Sequence, residues 1–234
     1  MRKYRPYRGK RRLFPGLGTF LLLLLVTAGL LLYLQDLRVP VTLESVPDYN
    51  GEPYVELDGG QTDFPEADLT AEESFLRYTE LDALGRCGPV YVLVAPETMP
   101  TAERGEIGMV RPSGWHTVKY DWVDGKYLYN RCHLAAYQLT GENAEVRNLI
   151  TGTRYLNVEG MLPFENRVAR YVRDTGDGVL YRVTPIFRGA DLVARGVQME
   201  ACSQTPGGLE FNVYCYNVQP GVVIDYGDGT SRAE

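Results

Sequence analysis

The chain has 234 residues, with 24 lysines and arginines, 30 aspartates and glutamates, and a formal net charge of −6. Residues 36–83 hold thirteen carboxylates against two arginines, whereas residues 84–234 hold seventeen carboxylates against fifteen basic residues. Because the excess of negative charge lies mostly in the earlier segment, the acidic balance does not exclude a polyanionic ligand for the later one. The length suits one folded domain with flanking segments.

The N-terminus has the pattern of a membrane anchor. Residues 1–12 form a basic tail with seven lysines and arginines, and residues 13–34 carry no charge. As a helix, this second segment would span about 33 Å, enough for the core of a bilayer. The charge asymmetry predicts a cytoplasmic N-terminus and an extracytoplasmic remainder. A cleaved signal peptide is the alternative, although its apolar core is usually shorter, about 7–15 residues. We therefore expect one transmembrane helix in the lipid bilayer of the cell membrane.

The segment after the anchor is rich in proline, glycine and aspartate. We expect residues 35–70 to be an acidic stalk or linker, with one short strand around Pro53–Leu57. Residues 71–234 would be the folded domain. Its first predicted element is a helix over Ala71–Leu84, based on apolar residues at threefold spacing: Phe75, Tyr78, Leu81 and Leu84.

The middle of the chain contains patterns typical of strands, loops and helices. The apolar run Val90–Val94 predicts a buried strand, and residues 95–116 have the composition of a loop. Asp124-Gly125 predicts the turn of a hairpin. The segment Leu149–Asn157 can be helical, and Leu162–Thr175 is bounded as a helix by Pro163 in its first turn and by Gly176 after its end.

The last third predicts an antiparallel meander. Three β-rich stretches are separated by turn residues: Val179–Phe187, Leu192–Ser203 and Leu209–Val218. Apolar and polar residues alternate in the last stretch, which predicts a strand with one buried face. The predicted fold class is α+β.

Histidine is scarce, since His116 and His133 are the only two in the chain. These two are the first candidates for a general base at neutral pH. His116 has no charged neighbour, and we assign it a structural role. His133 ends a predicted strand, and Arg131 would share its face, a combination that suits a phosphate-like substrate. On its own, this pattern more often belongs to a structural histidine.

Polar residues downstream of His133 could hold a metal ion. Asn148, Asn157 and Glu165 offer oxygen ligands of the kind that magnesium accepts. Asn157 and Glu165 are eight residues apart and would share a helix face, but Gly160 and Pro163 predict a break between them. Tertiary packing would then have to bring the two together. Ordinary capping and turn roles are the alternative.

The absence of several known motifs argues against other kinds of catalytic or metal site. The chain has no P-loop, HExxH, GxSxG or glycine fingerprint before a helix, and no organic cofactor is expected. The four cysteines show no CxxC pair and no histidine at zinc-ligand spacing, which argues against a structural zinc site. A Cys87–Cys132 disulfide and four free buried thiols both remain open. Arg131–Arg195 holds nine arginines and no lysine, which suits bidentate phosphate contacts or an ion-paired surface.

Several motifs, taken in order, resemble the DNA/RNA non-specific endonuclease family, in particular its membrane-anchored DNA-entry nucleases. The resemblance covers roughly residues 75–228 and implies a ββα-metal core with a central antiparallel sheet. The family hallmark Asp-Arg-Gly-His reads Asn130-Arg131-Cys132-His133 here, with the first and third positions changed. The other matching motifs are Arg147-Asn148-Leu149-Ile150-Thr151-Gly152-Thr153, Leu156-Asn157 and Phe164-Glu165-Asn166.

The resemblance also implies roles for individual residues. His133 would be the general base, Asn157 the direct Mg²⁺ ligand (with Mn²⁺ as an alternative ion), and Glu165 the holder of metal-bound water. Asn148 would orient the base or the metal environment. The scissile phosphate would be supported by arginines, which are Arg131 and, as further candidates, Arg167 and Arg170.

The implied function is a magnesium-dependent, sequence-non-specific endonuclease that hydrolyses phosphodiester bonds of extracellular DNA and/or RNA. Its partners would be the nucleic-acid backbone and, through residues 13–34, the bilayer. Two alternatives stay open. One is a catalytically silent surface module that binds nucleic acid or a protein, and the other is a phosphodiesterase that acts on small substrates.

Overall fold

The structure, a computed structural model, describes residues 41–234. The predicted basic tail, residues 1–12, and the predicted anchor, residues 13–34, lie outside the described residues. Within residues 41–234, no helix has both the length and the apolar character needed to cross a membrane.

Ten strands and three α-helices make up the described chain, together with several short helical turns. The strands are β1 Tyr54–Glu56, β2 Leu76–Tyr78, β3 Val90–Val94, β4 Tyr129–His133, β5 Leu149–Thr153, β6 Val179–Ile186, β7 Gly196–Ser203, β8 Glu210–Tyr216, β9 Val222–Ile224 and β10 Ser231–Ala233. The helices are α1 Glu66–Leu69, α2 Tyr137–Thr140 and α3 Leu162–Thr175.

A six-stranded antiparallel sheet, in the order β1-β8-β7-β6-β3-β2, forms the centre of the fold. The meander β6–β8 supplies three of its strands, and β3 extends it in antiparallel register, with Val92 opposite Tyr181. The predictions of a central antiparallel sheet and of a mixed α and β fold are therefore confirmed. Two small two-stranded sheets stand apart, β4 with β5 and β9 with β10.

Helix α3 packs its apolar side on this sheet. Phe164, Val168, Ala169 and Val172 are buried in the main core cluster, alongside strand residues such as Val183. Pro163 lies in the first turn, where its missing N–H is not needed, and Gly176 ends the helix in the left-handed conformation. The predicted bounds of this helix are confirmed, and Gly176 is the signal that ends it.

The prediction of a stalk over residues 35–70 is wrong for its described part, residues 41–70. Strand β1 pairs with β8, so this segment adds an edge to the main sheet. Leu57 and its apolar neighbours also pack against Tyr214 and Tyr216 on the second face of that sheet. This cover explains why β8 is buried on both faces, in contrast to the one buried face expected from its alternating residues.

Two helix predictions are also corrected. Ala71–Leu84 contains strand β2 and a turn, and Leu81 and Leu84 are exposed, so the threefold spacing did not mark a buried stripe. Leu149–Asn157 begins with strand β5 and becomes helical only afterwards. All five residues of β5 are buried, and a short, fully buried apolar run does not show by periodicity whether it is a strand or a helix.

Candidate active site

Strands β4 and β5 and helix α3 form a ββα unit beside one large cavity. The two strands pair antiparallel, with His133 opposite Leu149, and the helical segment follows β5 directly. The adjoining cavity has a volume of about 780 Å³. Four of the predicted site residues line it, namely Arg131, His133, Asn157 and Glu165. Among the others, Asn148, Arg167 and Arg170 do not.

His133 is held as a neutral base at the end of β4. Its side chain is buried, and Nε2 lies 2.8 Å from the carbonyl oxygen of Asn143. Because a carbonyl oxygen can only accept, Nε2 carries the proton and Nδ1 is left with its lone pair. Burial lowers the pKa of His133 to about 4, with the nearby positive charge of Arg104 acting in the same direction. The ring is therefore uncharged at neutral pH.

Arg104 is a site residue that the sequence analysis missed. Its Nη2 atom lies 3.2 Å from Nδ1 of His133, and its side chain lines the cavity. The residue belongs to the loop over residues 95–116, which has no periodic pattern and contains several other charges. No sequence signal distinguishes it, because its position depends on how that loop packs over β4.

Asn157 and Glu165 reach the same cavity through a helical segment that does not break. Leu156–Met161 forms a π-helical turn that continues into α3, contrary to the break predicted at Gly160 and Pro163. Gly160 allows close packing, since a Cβ there would lie 3.2 Å from Cβ of Cys215. The helix thus continues through this segment as a π turn. Such turns are common at functional sites.

Glu165 is a buried carboxyl group without a protein partner. Its side chain has no hydrogen bond and no ion pair within residues 41–234, and neither does the side-chain amide of Asn157. Burial raises the pKa of Glu165 to about 8, against a smaller opposite effect of Arg104. Burial of a carboxylate is costly unless a cation or hydrogen bonds compensate it. The carboxyl group is therefore protonated at neutral pH in the metal-free protein, and a bound cation would stabilise its ionised form.

This ligand set fits magnesium. No cluster of three or more histidine, cysteine, aspartate or glutamate side chains suited to a metal is found among residues 41–234. A closed zinc cage would need such a cluster. Magnesium instead keeps several waters and is bound through one or two carboxylates, and the cavity lining, which includes Glu165 and Asn157, is compatible with a divalent cation of this kind.

Arg131 is tied to the wall of the cavity. Its guanidinium donates to the carbonyl oxygens of Gly108, at 2.8 Å, and Val110, and it lies 4.0 Å from the ring centroid of Trp115. These contacts hold the loop over the strand that carries His133. The predicted phosphate contact of Arg131 remains a prediction, and two of its N–H groups already donate to the backbone.

Asn148 supports His133 through the backbone. Its Oδ1 accepts from Ala135 N at 2.8 Å, its Nδ2 donates to Ala135 O at 2.9 Å, and its own carbonyl accepts from Leu134 N at 2.8 Å. The side chain is fully buried and outside the cavity. Its geometry is therefore that of a positioning residue that fixes the chain directly after the base.

The two arginines of α3 lie elsewhere. Arg167 is exposed, with its guanidinium 5.1 Å from the ring centroid of Phe211, and Arg170 is exposed on the outer side of the helix. Neither is brought to the cavity by this fold, because α3 turns their side chains away from the face that carries Glu165.

The changed third position of the hallmark is accommodated by the neighbouring strand. Cys132 is fully buried, and Gly152 of β5 lies so close that a Cβ there would be 2.4 Å from Sγ of Cys132. The missing side chain on β5 makes room for the added one on β4. All four cysteines are free, so the Cys87–Cys132 disulfide considered from the sequence is not formed.

Comparison with known proteins identifies the family. A family model described as DNA/RNA non-specific endonuclease matches residues 67–205, more than half of the chain. The chain belongs to this family. The match includes β4, β5 and α3, so the ββα unit beside the cavity lies within a nuclease domain.

Individual relatives agree with this assignment. A deoxyribonuclease of Streptococcus dysgalactiae subsp. equisimilis is 33% identical over 108 residues, which are 44% of this chain but only 32% of that relative. The structure is similar to NucA of Streptococcus agalactiae without metal, at a TM-score of 0.71 and 28% identity, over 82% of this chain and 92% of NucA. NucA with a bound magnesium ion gives a TM-score of 0.68 at 28% identity, over 76% and 86% of the two chains.

Proposed function

We propose that this protein is a magnesium-dependent endonuclease that hydrolyses phosphodiester bonds of DNA and/or RNA without sequence preference. One observation carries the proposal. A buried neutral histidine, with Nδ1 free of backbone partners, lines the same cavity as a buried carboxyl group that has no protein partner. The pair provides a base for water and a carboxyl group that a cation can bind in its ionised form, a combination that supports hydrolysis of a phosphodiester.

In the proposed reaction, Nδ1 of His133 takes a proton from a water molecule as its oxygen attacks phosphorus. The bond from phosphorus to the 3′ oxygen breaks, which leaves a 5′-phosphate and a 3′ oxygen that is protonated from solvent. Asn157 and Glu165 would hold the metal ion. When bound, Mg²⁺ supplies Lewis-acid stabilisation of the negative charge on the phosphate and the leaving oxygen. The bound magnesium of the NucA relative supports this choice of ion.

Arg104 would stabilise the substrate phosphate in this mechanism. In the free protein, its guanidinium lies on the base nitrogen itself, where the attacking water must lie during the reaction. A phosphate in the cavity would attract the guanidinium away from a neutral imidazole, because a charged acceptor binds it more strongly. Contacts of this kind are made to the nucleic-acid backbone and do not distinguish one base from another. They are therefore consistent with cleavage at any sequence.

We further propose that the enzyme is anchored in the cell membrane and acts on extracellular nucleic acid. The uncharged segment 13–34 after a basic tail supports this location. Protease treatment of intact cells tests it directly. An extracytoplasmic domain would be digested or released while a cytoplasmic marker stays intact, and protection of both would overturn the proposed orientation.

The test of the activity is degradation of plasmid DNA and of ribosomal RNA by the purified chain. We expect both, or at least one, to be cut in the presence of Mg²⁺, and cutting to stop in EDTA and resume when Mg²⁺ is returned. Binding without cleavage would instead identify a silent capture module. Turnover of a dinucleotide at the rate of a polymer would indicate a phosphodiesterase for small substrates.

A further inference from the structure

One wall of the cavity is built by a hairpin outside the ββα unit. Residues 117–129 fold back on themselves around Gly125, with Lys119 and Tyr127 directly opposite each other in an isolated antiparallel bridge. Thr117 and Tyr127, which lie on this side of the hairpin, line the cavity. Tyr127 is 46% exposed, so it is accessible to solvent as well as lining the cavity.

Two basic side chains contact residues of this hairpin. The ammonium group of Lys119 lies 4.5 Å from the ring centroid of Tyr127. Arg154 also lines the cavity, and Asp124 at the tip of the hairpin holds its guanidinium at 2.7 and 3.0 Å. Tyr127 and Arg154 thus line the same cavity as His133 and Glu165, and Lys119 lies against the ring of Tyr127.

This combination is the one that proteins use to hold single strands. A ring at the rim stacks on a nucleobase, and neighbouring cations contact the phosphates that flank it. A base inside a duplex is paired and already stacked on both sides, so it cannot offer a free face to Tyr127 without unpairing. Unpairing costs a few kcal/mol, and a single strand does not incur that cost.

We propose that Tyr127, supported by Lys119 and Arg154, binds an unpaired base beside the scissile phosphate, and that the enzyme favours single-stranded over double-stranded nucleic acid. The inference rests on the proposed function, because it takes the cavity to be the site where the phosphodiester is cut. It goes beyond that function by naming the strand state of the substrate and the residue that selects it.

The same hairpin offers a matched control. Trp122 is 57% exposed but does not line the cavity, and it packs against Tyr120 with ring centroids 5.0 Å apart. A loss of binding that followed from removing any exposed aromatic residue, or from loosening the hairpin, would also be seen in Trp122→Leu. An effect specific to stacking at the cavity would be confined to Tyr127.

The binding experiment uses the full chain in EDTA, so that no cleavage is needed. Fluorescence anisotropy is measured with one labelled oligonucleotide, alone and as a blunt duplex. We expect the wild type to bind the single strand more tightly, and Tyr127→Leu to weaken this binding by about tenfold while duplex binding stays unchanged. Tyr127→Phe, which keeps the ring, and Trp122→Leu should both resemble the wild type.

Equal affinity of the wild type for both strand states, or equal effects of Tyr127→Leu and Trp122→Leu, would overturn the inference. Cleavage of the same two substrates in Mg²⁺ separates it from the proposed function. Cleavage of both at equal rates, unaffected by Tyr127→Leu, removes the strand preference and leaves the nuclease intact. A single-strand preference in binding without any cleavage removes the nuclease and leaves the role of Tyr127 in place.

Discussion

The Nη2 atom of Arg104 lies 3.2 Å from Nδ1 of His133, so the loop over residues 95–116 reaches the nitrogen that would act as base. The other ring nitrogen is bound to the backbone of Asn143. His133 is thus held from one side by a neutral acceptor and approached from the other by a positive charge. Burial and the positive charge of Arg104 lower the pKa of His133 and favour the uncharged imidazole that a general base requires, and they outweigh the opposite effect of the hydrogen bond to Asn143.

Replacement of Arg104 by alanine should therefore have two separable effects. Loss of a charge beside the phosphate should lower kcat/KM by about 10–100-fold. Loss of the same charge beside the imidazole should raise the pKa of His133, so the acid limb of the pH profile should move to higher pH. Arg111→Ala, in the same loop but exposed and outside the cavity, is the control. An unchanged rate and an unchanged profile would show that Arg104 has no part in the site.

The pH profile of the wild type should be displaced towards acid. The pKa of His133 is lowered to about 4 by burial, and a base must be unprotonated to act. We expect His133 to remain unprotonated well below pH 6.5. The value of kcat/KM, measured at saturating Mg²⁺, should therefore fall because of His133 only as the pH approaches about 4. A histidine-dependent limb near pH 6.5, absent from variants at position 133, would contradict the buried geometry.

The lowered pKa of His133 also makes the free energy of unfolding decrease as the pH falls. Because the folded state disfavours protonated His133, the unfolded chain binds the proton first as the pH falls. The contribution of the neutral ring is fully present above pH 6.5 and is lost between about 6.5 and 4. Urea unfolding of wild type and His133→Ala across this range should show the difference between the two narrowing towards acid.

Glu165 should couple magnesium binding to pH. Its pKa is raised to about 8 in the metal-free protein, above the ordinary 4.5, so the protonated form favours folding. That contribution is fully present below pH 4.5 and is lost as the pH rises through about 8. We expect metal-free wild type to lose unfolding free energy over this interval and to regain it with Mg²⁺. Glu165→Gln should show neither response and little activity, and an unaltered Mg²⁺ response in this variant would exclude Glu165 from the metal site.

The packing of Cys132 on Gly152 predicts a non-additive pair of substitutions. Gly152→Ala places a Cβ 2.4 Å from Sγ of Cys132, and overpacking of this kind costs about 1–3 kcal/mol. The cost should be smaller in the background of Cys132→Gly, where the sulfur is absent. A double-mutant cycle by chemical denaturation measures the coupling. Additive effects would show that the two strands do not compensate each other in this way.

The parts of the site that sequence analysis reached are those whose neighbours along the chain determine them. His133 and Arg131 share a face because a strand alternates, and α3 ends where it was predicted to end because Gly176 follows it. The failures have a common physical origin in tertiary contacts. Residues 41–70 looked like a linker, but a short strand can be recruited to the edge of a sheet that forms much later in the chain.

In the site, too, the features that could not be predicted depend on tertiary contacts. The helical break predicted at Gly160 was wrong because a π turn absorbs the irregularity, and whether it can do so depends on the packing of Gly160 against Cys215. Arg104 could not be found from sequence, since nothing local links a loop residue to a histidine 29 positions later, the separation between Arg104 and His133. Such contacts depend on how loops pack over the finished sheet.

A comparison of the two histidines of the chain tests whether His133 is the general base. His116 is exposed, with Nε2 at 3.0 Å from the carbonyl oxygen of Asp228, and lies outside the cavity. In plasmid degradation with Mg²⁺, we expect His133→Ala to lose activity by about 10²–10⁴-fold, with the circular dichroism spectrum of the wild type retained, and His116→Ala to remain active. Cleavage by a folded His133→Ala variant at the wild-type rate would show that His133 is not the general base.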